Sequence, residues 1–96
     1  MQIGTLEIEL EIAHAQSLKD KRAVLNRIKS RVGNKFNVSI AEVDGHNVWN
    51  YACLGMAVVT NDQKHSNRVL SKVIDHIEEI GDCEIVDYAM DFLNLG

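Results

Sequence analysis

The stretch TLEIELEI, Thr5 to Ile12, alternates strictly, sending Leu6, Ile8, Leu10 and Ile12 to one face and Glu7, Glu9 and Glu11 to the other. A period of two predicts a half-buried strand. Ser17 then offers a hydroxyl to an orphan backbone N–H, with Asp20 three residues on, as in a capping box. Leu18, Val24, Leu25, Ile28 and Val32 recur at helical spacing and predict one buried stripe. Gly33 is expected to end that helix in the left-handed region.

FNVSIAEV, Phe36 to Val43, alternates again with Phe36, Val38 and Ile40 inward. Asp44-Gly45 marks a turn, and Trp49 beyond it predicts a hairpin loop longer than two residues. YACLGMAVV, Tyr51 to Val59, is apolar on both faces and reads as an interior strand. Its bulkier set, Leu54, Met56 and Val58, is assigned to the core, leaving Cys53, Gly55, Ala57 and Val59 on the opposite face. Asn61 or Asp62 caps a second helix with the stripe Val69, Leu70, Val73, Ile74, Ile77 and Ile80, closed by Gly81. The last strand, Cys83 to Leu93, is assigned Val86, Tyr88, Met90 and Phe92 on one face and Asp87 and Asp91 on the other.

The order is therefore β-α-β-β-α-β. Right-handed crossovers turn it into an α+β, ferredoxin-like plait: a four-stranded antiparallel sheet in spatial order 4-1-3-2 with both helices on one face. Residues 1–96 are expected to form one such domain. The expected core is Leu6, Ile8, Leu10, Leu25, Ile28, Val38, Ile40, Leu54, Met56, Val73, Ile77 and Tyr88.

Composition narrows the class. Hydrophobic residues at 46% with charged residues at 25% describe a globular chain. The longest uncharged apolar run, Tyr51 to Val59, is far shorter than a membrane span. Met1 leads straight into the first strand, so no leader is expected. Two cysteines, Cys53 and Cys83, give neither a disulfide framework nor zinc-ligand spacing, and a reduced, cytoplasmic setting is the expectation.

Charge is segregated. Formal net charge is −4, yet SLKDKRAVLNRIKSR, residues 17–31, holds six of the ten Lys and Arg residues. Seven of the fourteen acids lie between Asp75 and Asp91. On a helix, Lys19, Arg22 and Lys29 share one arc with Asn26, while Arg27 and Arg31 occupy a separate flank. His65, Arg68, Lys72 and His76 share an arc on the second helix. Phosphate backbones respond to such patches through counterion release. Lys19, Arg22, Lys29, Arg68 and Lys72 are thus candidate contacts to RNA or a ribosomal particle; DNA is not an expected partner. The competing reading is a merely solvated helix face. Recognition by base stacking on the sheet is rejected, because Thr5, Glu7, Glu9, Glu11, Cys53, Gly55 and Ala57 offer no aromatic platform.

The acidic row poses its own alternatives. Glu7, Glu9 and Glu11 stand about 7 Å apart along a strand, with Asp87 and Asp91 beside them, and read as a cation site or a solvated face. No ion-binding loop is present, and no metal or cofactor is assigned. Cys53, Gly55, Ala57 and Val59 make a strip that accepts another surface closely, so a homo-oligomer through the open sheet or the second strand's edge is expected. Trp49 reads as a lid on the core or as a partner anchor. The histidines at 14, 46, 65 and 76 lack metal spacing, and Cys53 lacks a basic sequence neighbour to activate it. With no phosphate-binding glycine loop either, a non-enzymatic protein is expected. The rival is a self-associating regulatory or small-ligand-binding module.

SLKDKR at 17–22, FNVSIAEVD at 36–44, the Trp49 hairpin and LGMAVVTND at 54–62 together resemble the YlxP family of small bacterial proteins. The resemblance spans nearly the whole chain. It implies a ferredoxin-like fold, an uncharacterised activity, and genes often near those of translation factors and ribosome maturation. It carries no catalytic residues with it.

Overall fold

The alternating stretch at the head of the chain becomes an inner strand of the sheet, and its apolar face sets the position of everything else. In the computed structural model, which describes residues 1–96, β1 (Gln2–Glu11), α1 (Leu18–Lys35), β2 (Ser39–Asp44), β3 (Tyr51–Thr60), α2 (Gln63–Ile80) and β4 (Glu84–Asn94) follow in order. The strands pair antiparallel in the order β2-β3-β1-β4. Leu6, Ile8 and Leu10 are fully buried beneath the helices, joined by Leu25, Ile28 and Val32 of α1 and Leu70, Val73 and Ile77 of α2. Glu7 is exposed, so the strand's register is the one its alternation predicts. No helix is long and apolar enough to cross a membrane.

The helix starts are as their sequences imply. Ser17 Oγ accepts from Asp20 N at 3.1 Å, and the Asp20 carboxylate reaches back to Gln16 N at 3.0 Å. Asp62 caps α2 by accepting from Lys64 N, and Gly81 closes it at φ 81°. Close packing of α2 on β1 depends on Gly4: a Cβ there would stand 3.0 Å from Ser66 Cβ, and Ser66 is itself fully buried.

Four expectations need correction. Gly33 does not stop α1, which runs on to Lys35 and ends at the extended Phe36; Gly33 has no positive φ. Val38 and Ile40 are only half-buried, because Ile40 lies in the edge strand β2 and Val38 just ahead of it, with cover on one side. Tyr88 pairs with core-facing Ile8, yet it is 53% exposed on the other edge strand, β4. The facing of Val86 is also wrong. A bulge between Tyr88's end of β4 and its start pairs Glu9 with Asp87 and Leu10 with Ile85, so Ile85 turns inward and Val86 is left exposed.

A helical glycine with open space around its Cα position is a correctable entropic weakness. Gly33→Ala should therefore raise stability by about 0.5–1 kcal/mol. Urea denaturation checks it; a loss of stability would show that residue 33 needs a backbone that alanine cannot adopt.

Candidate functional site

Lys21 lies in the apolar stripe of α1, four residues before Leu25 and seven before Ile28, and is 1% exposed. Its ammonium has three protons to satisfy away from water. Nζ donates to the carbonyls of Gly45 and Val48, each at 2.7 Å, and stands 2.8 Å from Glu42 Oε2. The carboxylate contact is an ion pair whose angles fall outside hydrogen-bond geometry, while the two carbonyl contacts are well formed. Glu42 reaches the ammonium because it continues the inward alternation of β2: it pairs with Leu54, on the core side.

This contact builds the β2–β3 loop. Gly45 sits at φ 78°, its N–H bound to Asp44 Oδ1 at 2.8 Å, and its carbonyl also accepts from Val48 N at 3.0 Å. The Tyr51 ring packs where a Cβ of residue 45 would be, 2.6 Å from that position. Asn50 O accepts from Ile12 N at 2.8 Å, tying the far side of the loop to the end of β1. The loop thus has a fixed course over the N-terminal turns of α1. Trp49 is not a lid on the core: it is 52% exposed at the tip, with Val48 exposed beside it.

The candidate cations separate into two groups. Lys19, Arg22, Arg68 and Lys72 are exposed, and Lys29 is half-buried. Arg27 pairs with Asp82 just past α2, which marks the flank of α1 turned toward α2. At about 100° per residue, Arg22 and Lys29 lie about 140–160° from Arg27, on the flank toward β2, while Lys19 lies about 80° from it, on the outward face. They do not merge with Arg68 and Lys72 on α2. Arg31, set aside by sequence reasoning, lies on the flank between the two groups. Near it, Phe36 meets the His76 ring edge-on at 5.8 Å and Lys35 stands over the Phe36 ring.

On the open sheet face, register sets Ser39, Ala57, Thr5 and Asp91 in one row and Ala41, Gly55, Glu7 and Ala89 in the next. They floor a trough of about 640 Å³. The strip predicted in β3 is partly filled by the chain itself. Val43, the extra residue of a second bulge between Glu42 and Asp44, leans over Gly55, where an added Cβ would meet its Cγ1 at 2.8 Å. Cys53 is buried, Ala57 half-buried, and Val59 is 64% exposed. One aromatic residue does stand on this face. Tyr51 donates its hydroxyl to Glu9 Oε1 at 2.7 Å, and this bond, then burial and the nearby negative charges, pushes its pKa up to about 12. Burial, with Glu7, Glu9 and Asp44 beside it, also raises the Cys53 thiol, so it is no activated nucleophile. Nowhere do three His, Cys, Asp or Glu side chains come together as a metal-binding group.

Sheet order, crossovers and helical layer define an α+β plait of the ferredoxin-like class. The sequence model of the family described as a protein of unknown function (DUF503) matches residues 3–90, and the chain belongs to that family. It is 42% identical over 82 residues to the uncharacterized protein YlxP of Bacillus subtilis (strain 168), covering 85% of this chain and 89% of that one. Among solved structures, a de novo designed protein with a ferredoxin fold superposes at TM-score 0.64 and 13% identity, covering all of this chain and 89% of the design. The ACT domain of a GTP pyrophosphokinase from Chlorobium tepidum superposes at 0.52 and 14% identity, covering 95% of this chain and 96% of the domain. At those identities the likeness is one of fold alone.

Two outcomes follow from the geometry. Lys21→Met should cost about 3–5 kcal/mol, because it leaves a buried carboxylate and two carbonyls without their cation. Adding Glu42→Gln should recover part of that loss, a coupling that denaturation of the single and double variants measures. Additive losses would show that the two side chains do not act as a pair. The second outcome concerns pH. Because the folded pKa of Tyr51 is raised, its contribution to stability is complete below the ordinary pKa of 10.0 and fades as pH rises through about 12. Ultraviolet titration should find a tyrosine ionising near 12 that moves toward 10 in Glu9→Ala; an unmoved midpoint would remove Glu9 as the cause.

Proposed function

We propose that this protein is a non-enzymatic, cytoplasmic domain that contacts RNA, and through it a ribosomal particle, by way of phosphates at its helical layer. The observation that carries the reading is the state of the α1 cations. The helix holds seven Lys and Arg residues against one acid, Asp20, in a chain of net charge −4. Asp20 is used in the helix cap, and only Lys21 and Arg27 are in ion pairs. Lys19, Arg22, Lys29 and Arg31 are left without a carboxylate partner. Unpaired cations on one surface of an acidic protein favour a polyanion that exchanges bound counterions for them. The acidic open face disfavours phosphate at the sheet, where plait domains otherwise stack bases. The genomic setting implied by the family resemblance points the test toward ribosomal subunits.

A second reading has its own observation. The trough floored by Gly55 and Ala57, with Glu7 and Asp91 on its floor rows, suits association with another copy or with a small cationic ligand. The two readings differ in salt dependence.

Replacing Lys19, Arg22 and Lys29 together with Gln should weaken RNA binding evenly across sequences and lower the salt slope by about two to three units. Folding should change little, since none of the three enters the buried cluster. Co-sedimentation with ribosomal subunits should be lost at high salt in the wild type and at much lower salt in the variant. Glu7→Gln, on the opposite face, should leave binding intact. A wild type that binds no RNA at low salt, or a triple variant that binds as well as wild type, would overturn the reading.

A further inference from the structure

The geometry points to the β2–β3 hairpin tip as a stacking site for single-stranded RNA, with Trp49 taking a base while Lys19 and Arg22 take neighbouring phosphates. The inference rests on the function proposed above and names the form of RNA and the residue that reads it.

Trp49 stands 52% exposed, and the backbone on both sides of it is held. Lys21 binds the carbonyls on both sides of the turn, at Gly45 and Val48, so the peptide leading into Trp49 is anchored at 2.7 Å to the N-terminal turns of α1. Asn50, on the other side of Trp49, is bonded through its carbonyl to Ile12. Both backbone neighbours of Trp49 are therefore fixed, and the backbone part of the ordering cost is met in the fold rather than at binding.

The same anchor decides which charges stand at this end. Lys19 and Arg22 flank Lys21 on α1 and are exposed and unpaired. Of the carboxylates nearby, Glu42 is paired with Lys21, while Asp20 in the cap and Asp44 on Gly45 N–H accept from backbone and keep their charge. Glu11 has no partner, but it belongs to the open-face set of β1, away from α1. An exposed indole at the same end of a domain as unpaired cations is a combination that binds single strands, because every base has a π-face and every linkage a phosphate. Duplex RNA presents phosphates but keeps its bases stacked, so only the cations would engage it. Charge complementarity thus selects a polyanion, and the indole selects one with unstacked bases.

Trp49 is the chain's one tryptophan, so it reports on itself. Titration of the full chain with a twelve-nucleotide oligoadenylate should quench its emission with the same midpoint that anisotropy of labelled RNA gives. The oligoadenylate–oligouridylate duplex should bind without that quench. Trp49→Ala should lower single-strand affinity by about five- to a hundredfold with an unchanged salt slope, and Trp49→Phe should retain most of it. Lys19→Gln with Arg22→Gln should instead lower the salt slope by about one to two units and leave duplex binding weakened as well. If RNA binding responds to Lys19 and Arg22 but Trp49→Ala binds like wild type and no quench appears, the stacking site is overturned and the proposed function stands. If no RNA binds at low salt, both fall. A change in Trp49 emission that follows protein concentration without RNA would make the tip a contact between proteins and would also overturn the inference.

Discussion

A primary ammonium taken out of water needs acceptors for its protons and a counter-charge, and a fold that buries one must supply them from fixed positions. Lys21 draws on two separate elements, with two loop carbonyls accepting its protons and Glu42 of β2 adding an ion pair. Glu42 must arrive on the core side of β2, and the turn after Asp44 must point two carbonyls inward rather than to solvent. Replacing such a pair by apolar groups is often neutral or better in stability, so stability alone does not account for its use. What the lysine provides here, and a leucine would not, is direction. It converts a six-residue surface loop into one whose backbone has a single course over α1.

The effects spread from that loop to the open face. With Gly45 fixed, the Tyr51 ring has a flat backbone to pack against, and its hydroxyl is delivered to Glu9. That bond uses one of the acids in the β1 row and closes the space above Cys53, whose thiol is then both buried and surrounded by carboxylates. A row that reads in sequence as three equivalent glutamates is therefore not equivalent in the fold. Glu9 is a structural acceptor, and Glu7 and Glu11 are free.

How far the chain was legible depends on which physical period governed each residue. Element order, sheet order and the β1 register follow from alternation and helical stripes, and those survive folding because burying the wrong face would cost every apolar side chain at once. The misses come where one residue breaks a period. The exposed valines at 43 and 86 each sit in a bulge, and an extra residue in one strand leaves no mark on hydropathy. Gly33 was misplaced because a glycine near a helix end has the same identity whether it stops the helix or lies within it. Lys21 was the costly miss, and its signal was present. It completes the stripe Lys21, Leu25, Ile28, Val32, while Glu42 completes the inward set Phe36, Val38, Ile40. A cation at a core position of a helix and an anion at a core position of a strand predict each other. Counting Lys21 among the surface basic residues concealed both.

Removing Lys21 from the surface charge changes what the remaining charge means. Lys19 and Arg22 stay on either side of it in sequence but are turned outward by the helix, and the acids that would neutralise them are held elsewhere by caps, turns and the buried pair. The positive field of α1 comes from its seven Lys and Arg residues, of which the fold pairs only Lys21 and Arg27, against one acid. The same anchor brings the chain into Trp49 at the end of the plait where α1 begins, since one acceptor of the buried ammonium is the carbonyl preceding Trp49. One constraint thus fixes the course of the chain into Trp49 and pairs off the buried cation, leaving exposed Lys19 and Arg22 at the same end of the plait, while the acidic row of β1 keeps its charges on the opposite face of the sheet.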